Sequence, residues 1–431
     1  MNLRELFIKL YNETNPRVIV QKSGAYKTRI VYDQSEEIQS KQEETRKILE
    51  NAIYNEGKIP ISPYAFAYVK GRSREMAAMQ HTNKDVVARL DINKFFESCT
   101  PSMFIRDIDR NVAVKNAIDV LGFELFLYNF VPDYVSMYKL NRKDVDLAKS
   151  ISEINFKDGT HFVEEPDLNS ITTDKLLDYA LNKSKSLPYC LSDMVLVTGS
   201  TTAPILSNIV MYGADLEIAK RLNELASQGI NIKDIAYTRY SDDIVVSFNF
   251  TDKQLRYRWG NIINAMHAIT KVIYFELKKL GLTLKTEKLA VMPWNSRQYV
   301  LGYVVNRHLN LPREDKKRLR LVLDKIRKGT ATDEEKHKFV KYVTWAKFRL
   351  VELMVGNPVK DGKIMTTDEI REALYNAVLS KKYNQLDPKE RALVTTLIPF
   401  ILPEDFKYFK GSAVIGMLEK YLEENKNGDD K

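Results

Sequence analysis

The chain has 431 residues, of which 44% are hydrophobic, 10% aromatic and 29% charged, a balance that excludes the disordered, collagen-like and coiled-coil classes. At ~150 residues per domain the length allows about three domains. Two cysteines, Cys99 and Cys190, cannot build a disulfide framework or a four-ligand zinc site, so a reducing compartment is expected. No apolar run approaches the ~20 residues of a membrane helix, and the opening Met1 to Leu6 lacks the layout of a signal peptide. These features predict a cytoplasmic protein without a membrane partner. Lys and Arg number 66 against 57 Asp and Glu, a net +9, but the excess is uneven. Residues 311–350 hold 13 basic and 6 acidic side chains, whereas residues 144–178 hold 9 acidic and 3 basic. The first stretch suits a polyanion and the second repels one.

In chain order, residues 1–85 combine short β-like runs (Val18 to Val20, Arg29 to Tyr32) with a helix expected over Ser40–Tyr54, where Ile48, Leu49, Ala52 and Ile53 recur at helical spacing. Val86 to Ile92 reads as a buried strand carrying Asp91 near its end. Gly199 to Pro204 reads as a loop feeding a helix, with hydroxyl residues as caps and Pro204 in the first turn. Ile235 to Tyr237 and Ile244 to Phe248 flank Asp242 and Asp243, which predicts a hairpin with two carboxylates at its tip. From Pro312 onward the pattern is helical. On Arg313–Lys328 the residues Leu319, Val322, Leu323 and Ile326 form an apolar stripe, and Arg313, Lys317, Arg320 and Arg327 fall within an ~80° arc opposite it. The tail Glu423 to Lys431 is polar.

A strand ending in Asp91, a glycine-opened helix and a hairpin bearing Asp242 and Asp243 make sense together. An isolated pair of aspartates in a turn is ordinary turn chemistry. Carboxylates on adjacent strand ends are instead what a magnesium ion needs when it shares its coordination with substrate phosphates, and two such ions can serve both the attacking hydroxyl and the leaving pyrophosphate.

These residues carry a family resemblance. Arg89-Leu90-Asp91-Ile92-Asn93-Lys94-Phe95-Phe96, Gly199 to Asn208 and Arg239-Tyr240-Ser241-Asp242-Asp243 resemble, in order, motifs A, B and C of reverse transcriptases, the bacterial retron-like branch above all. Gly281 to Lys288 resembles motif D, and Tyr299 to Asn306 resembles the hairpin joining palm to thumb. Lys27 to Ile30 and Val69-Lys70-Gly71-Arg72-Ser73 resemble the fingers of that branch. The resemblance implies an α+β right-hand polymerase: fingers over 1–85, a palm over 86–310 with an acidic insertion at about 144–178, and an all-helical thumb and C-terminal region over 311–431. It implies an RNA-directed DNA polymerase that uses two Mg2+ ions, with Mn2+ as an alternative, held by Asp91, Ile92, Asp242 and Asp243. Arg29, Phe96, Gly199 and Lys288 would face the nucleotide. Arg29 would do so through a guanidinium fork suited to phosphate, and Lys288 would be the proton donor to pyrophosphate. Lys70, Arg72, Arg313, Lys317, Arg320 and Arg327 would hold nucleic acid. The partners implied are an RNA template, specifically a noncoding RNA, deoxynucleoside triphosphates and the DNA product; the oligomeric state stays open.

The chain departs from that family in several places. Val197-Thr198-Gly199 stands where relatives read Pro-Gln-Gly. Ala77-Ala78-Met79-Gln80-His81 and Val300-Leu301-Gly302 each lack a residue of the retron signatures Asn-Ala-x-x-His and Val-Thr-Gly. The departures point to the reverse transcriptases of abortive-infection and antiphage-defence systems. Competing readings are protein-primed or untemplated DNA synthesis, an RNA-dependent RNA polymerase, and an inert RNA-binding scaffold. Phe96, five residues after Asp91, favours deoxynucleotides by closing the space a ribose 2′-hydroxyl would need.

Overall fold

A computed structural model describes residues 1–23, 25–133, 168–181, 189–196, 199–360 and 363–401. The acidic stretch up to residue 167, Val197 and Thr198, and the polar tail lie outside the described residues.

Twelve strands and fourteen helices are described below in chain order. The N-terminal part comprises α1 (Leu3–Glu13), β1 (Thr14–Ser23), β2 (Ala25–Gln34), α2 (Glu36–Tyr54) and α3 (Arg74–Met79). Next come β3 (Val86–Asp91), α4 (Phe95–Ser98), α5 (Pro101–Asp107), α6 (Val112–Leu121), α7 (Phe123–Leu127), β4 (Phe130–Pro132), α8 (Thr173–Leu181) and β5 (Met194–Leu196). The central part holds α9 (Ala203–Ser227), β6 (Ile232–Tyr240), β7 (Asp243–Phe250), α10 (Trp259–Leu280), β8 (Ala290–Pro293), β9 (Tyr299–Val300) and β10 (Tyr303–Val304). Beyond it lie α11 (Arg313–Arg327), α12 (Asp333–Val355), β11 (Val359–Lys360), β12 (Lys363–Ile364), α13 (Thr367–Leu379) and α14 (Pro388–Ile401).

Alternation of side chains across one sheet organises the molecule. Strands pair antiparallel in the order β6-β7-β3-β8. Because successive residues of a strand face opposite sides, Val86, Ala88 and Leu90 of β3 join Ile244, Val246 and Phe248 of β7 in one hydrophobic core. Val87 and Val245 point the other way, into a second core. The first core receives α5, α6, α9 and α10. The second receives α3, the β9–β10 hairpin and the helices after residue 311. A sheet covered on both faces explains why Val86 to Leu90 reads as an almost uninterrupted apolar run.

Most expected elements are present, with four corrections. The two β-like runs near the N-terminus are parts of one hairpin of two ten-residue strands, β1–β2, in full register. The helix expected from Ser40 begins at Glu36, because Ser35 caps it by accepting the Ile38 N–H at 3.4 Å. The loop before α9 is not capped by a hydroxyl on the helix. Thr202 occupies the cap position in a helical conformation, and its hydroxyl bonds Ser200 Oγ at 2.8 Å instead. The region after residue 311 is not wholly helical: Gly356 ends α12 at φ +77°, and the short β11–β12 ladder follows. A positive φ of this kind is what glycine supplies at a helix end.

His81 fastens the second core to the sheet. The ring follows α3, has no exposed surface, and lies between Ser247 Oγ on β7 (2.8 Å from Nδ1) and Thr238 Oγ1 on β6 (2.7 Å from Nε2). Burial pushes its pKa down to about 3, against ~6.5 in an unfolded chain. The unfolded chain therefore takes up a proton below pH 6.5 that the folded chain refuses, and stability falls as pH falls, by up to about 1.4 kcal/mol per pH unit from this residue. Urea unfolding at pH 6.5 and pH 5 should show a smaller loss of stability in His81→Gln than in the wild type; equal losses would show that His81 does not carry this acid dependence.

Candidate functional site

At one end of the sheet the register brings carboxylates together. Asp91, the last residue of β3, pairs directly with Asp243, the first residue of β7, so their side chains leave the same face of neighbouring strands. Asp242 lies in the two-residue loop that joins β6 to β7, where Tyr240 pairs with Asp243. Ser241, the other loop residue, has φ +60°. A positive φ at the first position of a two-residue loop matches the right-handed twist of its strands. The Ile92 N–H donates to the Asp242 carbonyl at 2.9 Å, which ties the loop to the continuation of β3.

Asp91 is 8% exposed. The Asp243 carboxyl is raised above the usual carboxylate range, first by burial and then by the neighbouring Asp242 charge; Asp91 adds to the rise, while Arg89 and Lys288 oppose it. Like charges therefore crowd this corner. Lys288 answers with an ion pair to Asp91 Oδ2. Its position is fixed by backbone: the Asn93 N–H donates to Thr283 O and the Lys285 N–H to Asp91 O, both at 2.8 Å. Ile92, buried at the same corner, pairs with Leu284.

All donors here are oxygens, the chemistry a hard divalent cation prefers. Among the described residues no three ligating side chains stand together as a finished metal site, and Lys288 supplies the cationic charge next to Asp91. The donor set and the excess of negative charge fit magnesium or manganese.

The hairpin is held from behind by a pair that the sequence reading missed. Arg239 on β6 and Asp215 on α9 both have no exposed surface. The guanidinium donates from Nε to Oδ1 at 3.0 Å and from Nη2 to Oδ2 at 2.9 Å, the fork geometry of an arginine–carboxylate pair. The Tyr237 hydroxyl adds a bond to Asp215 Oδ1 at 2.7 Å, and Arg239 Nη1 reaches the Ser241 carbonyl at 3.3 Å. A signal was present in the sequence: Asp215 falls on the stripe Met211, Ile218, Leu222 of α9, where a lone carboxylate needs a buried partner.

The remaining residues singled out from the sequence scatter. Gly199 has φ +100°, and a side chain there would meet Val31 of β2 at 3.6 Å, so this loop passes beside the hairpin that carries Arg29 opposite Ile19. Phe95 is buried in the first core, whereas Phe96 is half-buried with its ring centroid 5.6 Å away. Arg72 turns inward: its guanidinium serves the Ser62 and Ala65 carbonyls, and burial lowers its pKa to about 10. Lys70 is exposed over the Tyr54 ring at 5.8 Å. Arg313, Lys317, Arg320 and Arg327 are all exposed on α11, opposite the buried Leu319, Val322 and Ile326.

Comparison with known proteins places part of this chain beside reverse transcriptases. Residues 144–305 match the family model described as reverse transcriptase (RNA-dependent DNA polymerase); Asp91 lies outside that stretch. The chain is 25% identical over 281 residues to a Myxococcus xanthus protein named retron Mx65 reverse transcriptase, covering 65% of this chain and 50% of that protein, so it spans half the length of that relative. It is 25% identical over 340 residues to the Escherichia coli retron Ec73 reverse transcriptase, covering 76% of this chain and 81% of that one. A Candida albicans telomerase solved with a telomeric RNA fragment aligns at a TM-score of 0.34 and 11% identity, over 90% of this chain and 67% of the telomerase. Residues 144–305 thus resemble a reverse transcriptase domain, and the chain as a whole is similar to bacterial retron reverse transcriptases.

Removing Asp215 leaves Arg239 and Tyr237 buried without their acceptor. Asp215→Ala should destabilise by ~3–5 kcal/mol, the usual cost of breaking a buried ion pair from one side, measured by denaturant unfolding. Asp215→Leu combined with Arg239→Met should recover much of the loss. A loss below ~1 kcal/mol in the single variant would mean that the pair does not organise the hairpin.

Proposed function

We propose that this chain is an RNA-directed DNA polymerase. The observation that carries the reading is the corner at which Asp91 and Asp243 face each other in register with Asp242 in the adjoining loop. In this reading residues 1–85 are the fingers, 86–310 the palm and 311–431 the thumb and C-terminal region. The reaction joins a primer 3′-hydroxyl to the α-phosphate of a deoxynucleoside triphosphate and releases pyrophosphate.

Asp91, Asp242, Asp243 and the Ile92 backbone would hold two divalent ions, magnesium by preference. Bound there, the ions lower the pKa of the attacking hydroxyl and neutralise charge on the phosphates. Lys288 stands next to Asp91 on a backbone-fixed segment. Released from that carboxylate, its ammonium can give a proton to the departing pyrophosphate. Arg29 sits on the hairpin that passes Gly199, a position from which a guanidinium can bind the triphosphate. The exposed cations of α11 would lie along the phosphate backbone of template and product, as would Lys70. Arg72 is committed to two carbonyls and serves the shape of its loop instead. An RNA template, a noncoding RNA in particular, and a role in antiphage defence complete the reading.

Phe96 supports DNA over RNA synthesis. Its neighbour Phe95 fills the core and Phe96 packs against that core half-buried, so the exposed part of its ring would be what presses against the sugar.

Asp242→Asn with Asp243→Asn should leave the melting temperature near that of the wild type or raise it, since like charges are removed. It should abolish deoxynucleotide incorporation on an RNA template with annealed primer. Incorporation within a few-fold of wild type would remove the metal assignment, and absence of incorporation by the wild type itself would remove the activity. Phe96→Ala should admit ribonucleotides on the same template and primer, seen as a fall in the ratio of kcat/KM for deoxy- over ribonucleotides. Loss of both activities with a large drop in melting temperature would return Phe96 to a packing role.

A further inference from the structure

A second surface lies at the far end of the same sheet. Asp85 precedes β3, six residues from Asp91, so about 20 Å of extended strand separates it from the carboxylate corner. Its carboxylate takes the Phe250 N–H at 3.0 Å and pairs with Arg256 at 3.1 Å. Held this way, the Arg256 guanidinium lies 4.3 Å from the Trp294 ring centroid and 5.2 Å from that of Tyr257, and those two rings meet edge-on at 5.3 Å. A buried aromatic pair would be core. This one reaches the surface through Tyr257, which is 64% exposed over the half-buried Trp294, and Trp259, two residues on, is 54% exposed.

The platform continues along α10. At ~100° per residue, Trp259, Ile263, Tyr274, His267, Lys278 and Lys271 fall within a ~120° arc, and every one is exposed. Five of the fifteen exposed large hydrophobic side chains among the described residues lie between Tyr257 and Phe275, so the exposure is concentrated rather than scattered. Such a patch on a soluble surface marks an interaction site.

Charge selects the occupant. Between Lys253 and Leu280 there are six Lys or Arg and one carboxylate, Glu276, which is buried and paired with Arg221 and Lys279. Cations also sit against the exposed rings, Lys271 over Phe275 at 6.0 Å and Lys278 over Tyr274 at 5.6 Å. Aromatic faces interleaved with cations along a ~22 Å length of helix are suited to stacked bases and a phosphate backbone. The Asn264 amide and the His267 ring on the same side can hydrogen-bond a 2′-hydroxyl. We propose that the outer face of α10, with Tyr257 and Trp294, is a binding surface for single-stranded RNA, separate from the carboxylate corner. This does not depend on the polymerase reading, because its test is equilibrium binding.

The test uses the full chain, a fluorescent unstructured 20-nucleotide RNA and a saturating unlabelled RNA–DNA duplex to occupy any duplex-binding cleft. Tyr257→Ala with Trp259→Ala should weaken RNA binding by at least about 20-fold, as expected for the loss of two stacked bases. Tyr257→Phe with Trp259→Phe should keep it. Lys271→Gln with Lys278→Gln should lower the slope of log affinity against log salt by roughly 1.4, two contacts at ~0.7 each. Unchanged affinity in the alanine variant would overturn the proposal. So would equal affinity for a DNA 20-mer, or loss of self-association in the alanine variant with RNA binding intact, which would assign the face to a protein partner.

Discussion

Arg239 and Asp215 meet where neither touches water, and the carboxylate corner depends on their meeting. A lone buried guanidinium would cost several kcal/mol, so the strand that carries it can settle only where α9 presents a carboxylate. Once Arg239 is fixed, the next two residues of the chain lead into the tight loop, and Nη1 holds the Ser241 carbonyl from behind. The same segment also receives the chain after Ser62, since the Phe66 N–H donates to Arg239 O and the Arg239 N–H to Tyr64 O, both at 2.8 Å. A single ion pair thereby aligns a helix, a hairpin and a distant loop around three aspartates.

Repulsion at the corner runs against folding. The raised Asp243 carboxyl records that the chain accepts an unfavourable cluster of charge, offset by Lys288 and by the rigid frame behind it. Perturbed carboxyl groups of this kind cluster at functional sites. The frame and the cluster are therefore complementary: the buried pair supplies the rigidity that lets the crowded carboxylates keep their register.

Local features were legible in the sequence. The helix Arg313–Arg327 follows from a 3.6-residue period with no competing pattern, and β3 follows from a short apolar run ending in a charge. The hairpin follows from strand-like runs on both sides of Asp242 and Asp243, but both carboxylates are expected at its tip, and Asp243 is already the first residue of β7, paired with Tyr240. What stayed hidden was long-range. Nothing near Arg239 in sequence names Asp215, 24 residues away, and nothing near His81 names Thr238 or Ser247. The hairpin β1–β2 was read as two short runs because polar residues such as Gln21, Lys22, Lys27 and Thr28 interrupt the apolar signal while the ladder continues through them. Arg72 resembled a nucleic-acid contact by its motif, but the carbonyls that claim it lie 7 and 10 residues upstream.

The loop between β6 and β7 has a consequence for how this chain can vary. With only Ser241 and Asp242 between paired strands, one inserted residue would shift every later side chain of β7 to the opposite face, exchanging Val245 for Ile244 and Val246 between the two cores. The positive φ at Ser241 further restricts that position to residues tolerant of a left-handed backbone, which bars the β-branched ones. Descendants of this sequence can lengthen many of its loops, but this turn must keep its count, because the separation of the two cores is written in the parity of one strand.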